Sequence, residues 1–418
     1  MKKILIITHS FILILIISCQ NKKVRIYKGN SPITTTFEEW RSIKPELRPP
    51  NDIQNPGKIY IYKDALYINE KGIGIHIYNN SNPSSPIPIG FIDIHSNFDV
   101  AVKGNTLYAG SYSDLLIFDV SDPLKPLYIN REIDVFSVNY RSVTKGYDEN
   151  YPRKYVNMNE EVVLRWEVKT IEEEIETYNQ SSISMLDDLT LFPAKDNESS
   201  VGGSGLGGSM ASFTIMNNTL YVLDDNSLKY SSLANETNLP LFEELLLFRD
   251  AETLYPYENN LFIGTTTGML IYDIKDNGTP LYLSSFDHWT GCDPVVVSDD
   301  KAYVTLSSGC GLQRNELHVV DVSNLSSPKL IKTYDFEHPL GLGIDDSTLF
   351  LCDDYAGLKV FDIKSPDSIK NNMIHHYSDI NAYDVIPLNG ILIMVGTDGV
   401  FQYDYSNPSA MVLLSQIK

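Results

Sequence analysis

The sequence is short of positive charge: 33 Lys and Arg stand against 54 Asp and Glu, giving a formal net charge of −21. That balance argues against a nucleic-acid partner, because a phosphate backbone rewards a basic face. Long hydrophobic runs are also missing. The apolar stretch from Ile4 to Ile17 is interrupted by Thr8, His9 and Ser10 and is shorter than the roughly 20 residues that span a bilayer as a helix. Only four cysteines occur, and none has a His or further Cys at zinc-finger spacing. There is no H-E-x-x-H and no G-x-S-x-G, so neither a zinc-hydrolase pair nor a nucleophile elbow is present. What the chain does have is apolar material, 43% hydrophobic and 11% aromatic. That suffices for a sizeable core and excludes wholesale disorder.

From residue 58 onward the sequence repeats itself. Gly104-Asn105-Thr106-Leu107-Tyr108 leads to Leu115-Leu116-Ile117-Phe118-Asp119-Val120-Ser121 and then Pro123. The same order recurs from Lys301-Ala302-Tyr303 to Val319-Val320-Asp321-Val322-Ser323, from Ser347-Thr348-Leu349-Phe350 to Val360-Phe361-Asp362, and from Ile391-Leu392-Ile393 to Tyr403-Asp404. Each unit holds four short alternating runs, rich in β-branched and aromatic residues and broken by Gly, Asn or Asp, which predicts strands. A four-stranded unit of about 40 residues, repeated, predicts a β-propeller blade. Seven units are counted, two over 58–135 and five over 211–418. A six-bladed ring with a divergent seventh segment is the alternative, since the unit at 211–248 lacks the Asp. The expected fold is therefore all-β: a single propeller over 58–418, carrying an insertion at 136–210 between its second and third blades. The repeated Asp119, Asp273, Asp321, Asp362 and Asp404 are expected to make turns, since even repetition is what fold maintenance requires.

The N-terminus reads as a targeting segment. Lys2 and Lys3 precede the apolar stretch, which ends in Ser18-Cys19. This order resembles the lipobox of bacterial lipoproteins, which implies removal of residues 1–18 and a diacylglycerol anchor on Cys19. Gln20, in place of the Asp that retains such proteins in the inner membrane, implies the outer membrane. Residues 19–57 carry Pro32, Pro45, Pro49, Pro50 and Pro56 and read as a tether, with one edge strand over Val24–Tyr27. The run Val319-Val320-Asp321-Val322-Ser323 followed by Pro328, with Gly291-Cys292-Asp293-Pro294 before it, resembles the LVIVD-repeat family of bacterial envelope proteins. That resemblance implies the propeller but no catalytic residue.

Several groups are candidates for chemistry. Gly203-Ser204-Gly205-Leu206-Gly207-Gly208 fits G-x-G-x-x-G, but a strand rather than a helix is expected after it, so no helix dipole would hold a pyrophosphate. Cys292 and Cys310 flank a predicted hairpin in the fifth unit and are expected to form a disulfide in an oxidising envelope; free thiols or a metal pair are the alternatives. Cys352 lies in an apolar run and is expected in the core. Counting back nine or ten residues from each Tyr67-equivalent reaches Lys58, Asp99, Ser212, Glu252, Asp293, Gly341 and Asp384, at the starts of the innermost strands. Asp99, Glu252, Asp293 and Asp384 could thus ring the channel mouth and hold an ion such as Ca²⁺ or a ligand; the plainer reading is that each caps a turn.

Two functions are compatible with these residues. The first is a lipid-anchored envelope propeller, monomeric and non-catalytic, that binds an envelope protein or glycan. The second is a cation-dependent hydrolase of the lactonase or esterase kind, with its site at the channel mouth. Fold does not choose between them.

Overall fold

The short alternating runs fold as expected, four strands to a unit. In the sixth unit the strands are Leu342–Asp345, Thr348–Cys352, Leu358–Asp362 and Met373–Tyr377, paired antiparallel in sequence order. Each turns sharply between its first two strands. Residues there adopt positive φ in every unit: Lys63, Gly104, Asn217 with Asn218, Glu258, Asp299, Asp346, and Asn389 with Gly390. The computed structural model describes residues 23–138, 143–175, 206–289, 291, 294–308 and 314–418. Over these it is a seven-bladed β-propeller, with blades at 56–93, 100–132, 213–246, 251–287, 295–335, 342–377 and 382–417.

Apolar clusters between neighbouring sheets close the ring. One joins blades 1, 2 and 3 through Tyr67, Leu107, Leu116 and Phe213. Others join 3 to 4, 4 to 5, 5 to 6 and 6 to 7. The last packs Ile386, Ile393 and Val400 of blade 7 against Ile59, Leu66 and Ile68 of blade 1. A single blade exposes both faces; stacking in a circle removes them from water, worth about 1.5–3 kcal/mol per large side chain. Cys352 is buried and free, within the cluster that joins blades 6 and 7.

A polar contact accompanies each junction. A side-chain hydroxyl of one blade donates to a backbone carbonyl in the loop between the third and fourth strands of the next. At the first three junctions the donor is a tyrosine of the second strand: Tyr67 to Pro123 (3.3 Å), Tyr108 to Glu236 (3.0 Å) and Tyr221 to Gly278 (2.6 Å). At the other four it comes from the outermost strand: Ser284 to Leu325 (2.5 Å), Tyr334 to Pro366 (3.0 Å), Tyr377 to Pro408 (3.0 Å) and Ser415 to Pro83 (2.6 Å). The accepting loop is shaped by the repeated acid. Asp119, Asp321, Asp362 and Asp404 each accept from the backbone N–H two residues on, at 2.7–2.9 Å. Asn79 does so in blade 1, at 3.0 Å. In the third blade, which lacks the acid, the Ser232 hydroxyl takes its place.

The seam between blades 7 and 1 shares no strand. It carries instead a reciprocal pair of buried amides: Asn80 donates to Gln402 at 2.8 Å and Gln402 to Asn80 at 2.7 Å.

Residues 23–48, expected as a spacer, are built into the molecule. Lys23–Thr35 pairs antiparallel with Val162–Ile175 of the insertion, forming a two-stranded ribbon. The expected edge strand is real but extends well beyond Val24–Tyr27, with Pro32 accommodated because the ribbon leaves it an edge. Thr36 and Glu39 form a capping box that starts the helix Phe37–Ser42. The helix buries Trp40 against Tyr112, Val162, Val163 and Trp166. Leu47–Arg48 then covers the outer edge of blade 1 by pairing with Phe91 and Ile92. Short apolar segments between the prolines explain the difference: prolines forbid long helices, not docking.

Two outcomes follow for stability. Gln402→Leu strands the Asn80 amide in the seam and is expected to cost about 1–3 kcal/mol, while Asn80→Leu with Gln402→Leu recovers part of the loss; denaturant melts of the four proteins measure the coupling. His95 packs against Trp40 and Tyr112, and burial lowers its pKa from 6.5 to about 4, with Lys145 and Arg131 adding to the effect. Released His95 takes up a proton that the docked ring refuses, so its contribution is full above pH 6.5 and lost as pH falls towards about 4. Tryptic cleavage after Arg41 should accelerate across that window in the wild type and respond less to pH in His95→Gln.

Candidate functional site

The connectors that enter the innermost strands gather at one face of the disc, around the axis. Here the end of the insertion turns inward. Leu206–Gly207 adds a strand to the axial edge of blade 1, opposite Ile61 and Tyr60. Ser209 then meets blade 7, where its N–H and hydroxyl donate to Asp384 Oδ1 at 3.1 and 3.0 Å. The same hydroxyl accepts from the Leu342 N–H of blade 6 at 2.6 Å. Two residues on, the Ala211 carbonyl accepts from the Leu254 N–H of blade 4 at 3.0 Å. Residues 206–212 therefore cross the mouth and are held from four blades. Glycine is needed on this path: a Cβ on Gly208 would lie 1.7 Å from Asp384 Oδ2.

Asp99, Glu252 and Asp384 stand at the starts of the first strands of blades 2, 4 and 7, and all three are buried, at 1%, 5% and 1% exposure. Asp99 meets Lys58 Nζ at 3.1 Å. Its Oδ2 also accepts from the Ser212 and Phe213 N–H groups at 2.7 and 2.8 Å, and its Oδ1 from the Val100 N–H at 2.7 Å. Burial pushes the Asp99 carboxyl above its ordinary value, and Lys58 with the Val100 and Phe213 amides offsets only part of that rise. Lys58 also reaches the Ser212 hydroxyl at 3.1 Å, so three of the seven register positions form one bonded group. Gly341 packs on Asp384, where a Cβ would approach Oδ1 to 2.2 Å. Asp293, Cys292, Cys310 and Cys19 lie outside the described residues, as do Gly203, Ser204 and Gly205 of the glycine-rich stretch. Among the described residues no three His, Cys, Asp or Glu side chains are grouped to hold a metal ion.

Two residues central to this face carry no signal in the sequence. Ser209 is indistinguishable from Ser204 in a Gly/Ser-rich stretch. Asn30, fully buried, ties the ribbon to the insertion by donating to the Asp148 and Tyr151 carbonyls at 2.8 and 2.7 Å. Only the repeat register, which picked out Lys58, Asp99 and Ser212, made part of the site readable.

Removing Lys58 should expose how the mouth is held. Lys58→Met leaves a buried carboxylate without its cation and is expected to cost about 3–5 kcal/mol. Adding Asp99→Asn should restore part of it, as read by thermal melts.

Comparison with known proteins agrees with this geometry. The LVIVD repeat matches residues 96–131 and 292–336, the second and fifth blades with their entry connectors. No curated protein sequence matches the chain. Among solved structures, a protein from Lactobacillus plantarum is similar at a TM-score of 0.53 and 12% identity, over 87% of this chain and 96% of that one. BamB from Moraxella catarrhalis is similar at 0.47 and 7% identity, over 90% and 97%. At such identities the likeness concerns the fold alone. The chain thus carries LVIVD repeats at residues 96–131 and 292–336, and these form the second and fifth blades of a seven-bladed β-propeller.

Proposed function

We propose that this propeller is a lipid-anchored, non-catalytic platform of the cell envelope, held at the outer membrane through Cys19 and monomeric. It would offer the face that carries the ribbon, the helix and the insertion to an envelope protein or glycan. The observation that carries the reading is the sealed mouth. Residues 206–212 lie across it, and the buried carboxylates there accept from donors of the chain itself. The hydrolase reading needs Asp99, Glu252, Asp293 and Asp384 turned towards an open cavity that admits a cation and a substrate. Asp99 and Asp384 are instead engaged by Lys58, Ser209 and backbone amides.

Position supports the anchor as well. Cys19 precedes the ribbon, which starts at Lys23, by four residues, a reach of at most about 14 Å. A lipid at Cys19 would therefore hold the ribbon tip close to the bilayer, with the propeller at its other end.

One experiment tests both parts. Cells expressing the wild type should incorporate an alkyne fatty acid into the protein, whereas Cys19→Ser should stay unlabelled and leave the membrane fraction. Cross-linking and capture from the same cells should lose partners when 176–205 is replaced by a short Gly-Ser linker that spares the ribbon. An unlabelled wild type removes the anchor; an unchanged partner set removes the insertion face. A melting shift with calcium, together with metal found by elemental analysis, would favour the hydrolase.

A further inference from the structure

The hydroxyl contacts between blades contain one irregularity. The tyrosine of the second strand donates across the junction in blades 1, 2 and 3. Where the outermost strand provides the donor instead, that inner position holds Phe262 in blade 4, Phe350 in blade 6 and Ile393 in blade 7, none with a hydroxyl. Blade 5 alone has both. Tyr334 of its outermost strand takes the Pro366 carbonyl at 3.0 Å, and Tyr303 keeps a hydroxyl with no hydrogen-bond partner among the described residues. The residue is only 2% exposed, and the little surface it keeps faces a cavity that it lines.

Tyr303 lines a cavity of about 250 Å³ between blades 5 and 6. The cavity lies on the face opposite the ribbon, where the turns between first and second strands gather. Asp299, Asp300 and Asp346 also line it, the first and last held at positive φ in tight turns. Two lysines stand there too, but their amines are directed elsewhere. Lys301 Nζ reaches the Asp300 carbonyl at 3.1 Å and Asp321 at 3.8 Å, and Lys364 Nζ reaches Asp362 at 3.1 Å. The three aspartates are not grouped as ligands of a single metal ion. Carboxylates spread around a cavity, with a phenol oxygen at its wall, match the several N–H donors of a larger cation.

We propose that this cavity binds a small organic cation, a protonated amine or guanidinium, whose N–H groups bond Tyr303 Oη and the surrounding carboxylates. The site is independent of the ribbon face and of the anchor. Agmatine carries both groups and serves as the probe, alongside a capped Gly-Arg-Gly peptide. Calorimetric titration of the full chain with agmatine should give saturable one-to-one binding, weakened by salt. Tyr303→Phe should weaken it about tenfold without lowering the melting temperature, because that hydroxyl makes no bond to the protein. Asp346→Asn should weaken it too. Tyr377→Phe, which breaks the junction between blades 6 and 7, should lower the melting temperature and leave agmatine affinity unchanged. Binding of the peptide as well would identify a partner's side chain as the ligand; binding of agmatine alone would identify a free amine. No saturable binding of either probe, unchanged affinity in Tyr303→Phe, or calcium bound with the same dependence on Tyr303 would overturn the proposal.

Discussion

Every sheet in this molecule has two apolar faces and no means of hiding them alone, and the whole architecture answers to that fact. Neighbouring blades bury each other's faces, but apolar packing is non-directional and would tolerate sliding. The hydroxyl-to-carbonyl bond at each junction supplies direction. It fixes the second or fourth strand of one blade against the loop that leads into the last strand of the next. In six of the seven blades the accepting loop keeps its shape because the repeated Asp, or Asn79 or Ser232 in its place, bonds the backbone two residues ahead; in blade 4 the expected turn-former Asp273 pairs instead with the Lys275 amine. For Asp321, Asp362 and Asp404 these bonds hold the carboxyls below their ordinary range. Their contribution is thus present at neutral pH and lost on acidification through those lowered values.

That chain of cause was largely readable beforehand. Alternation gave the strands, the repeat gave their grouping, and the even spacing of the acids marked them as turn-formers. The donors were harder to see. Tyr67, Tyr108 and Tyr221 stand at equivalent places, yet the switch to Ser284, Tyr334, Tyr377 and Ser415 follows no periodicity, because residues two apart on the last strand can reach the same carbonyl. The N-terminal segment carries little local signal for a related reason. Its partner strand, Val162–Ile175, is remote in sequence, and Asn30 and Trp40 acquire their meaning only when the two meet.

The channel mouth shows the same mixture. Register singled out Asp99 and Asp384, which meet Ser212 and Ser209 of the insertion's end. It could not foresee that a Gly/Ser-rich stretch would lie over them, since glycines that read as slack are here what permits close approach to Asp384. The two faces of the disc differ as a result. One is occupied by the chain's own insertion and N-terminal arm; the other presents turns, with a cleft where a tyrosine and three aspartates converge.

No strand of blade 7 enters the sheet of blade 1, nor the reverse, so none is exchanged where the circle meets. That joint is built from the same parts as the other six, with the Asn80–Gln402 amides added. A circle whose joints are interchangeable does not dictate where its chain must begin. Linking position 418 to 56 and cutting between any two blades outside the arm's footprint would leave every sheet intact, so circular permutation and whole-repeat gain or loss are open to this architecture in a way denied to propellers fastened by a shared sheet.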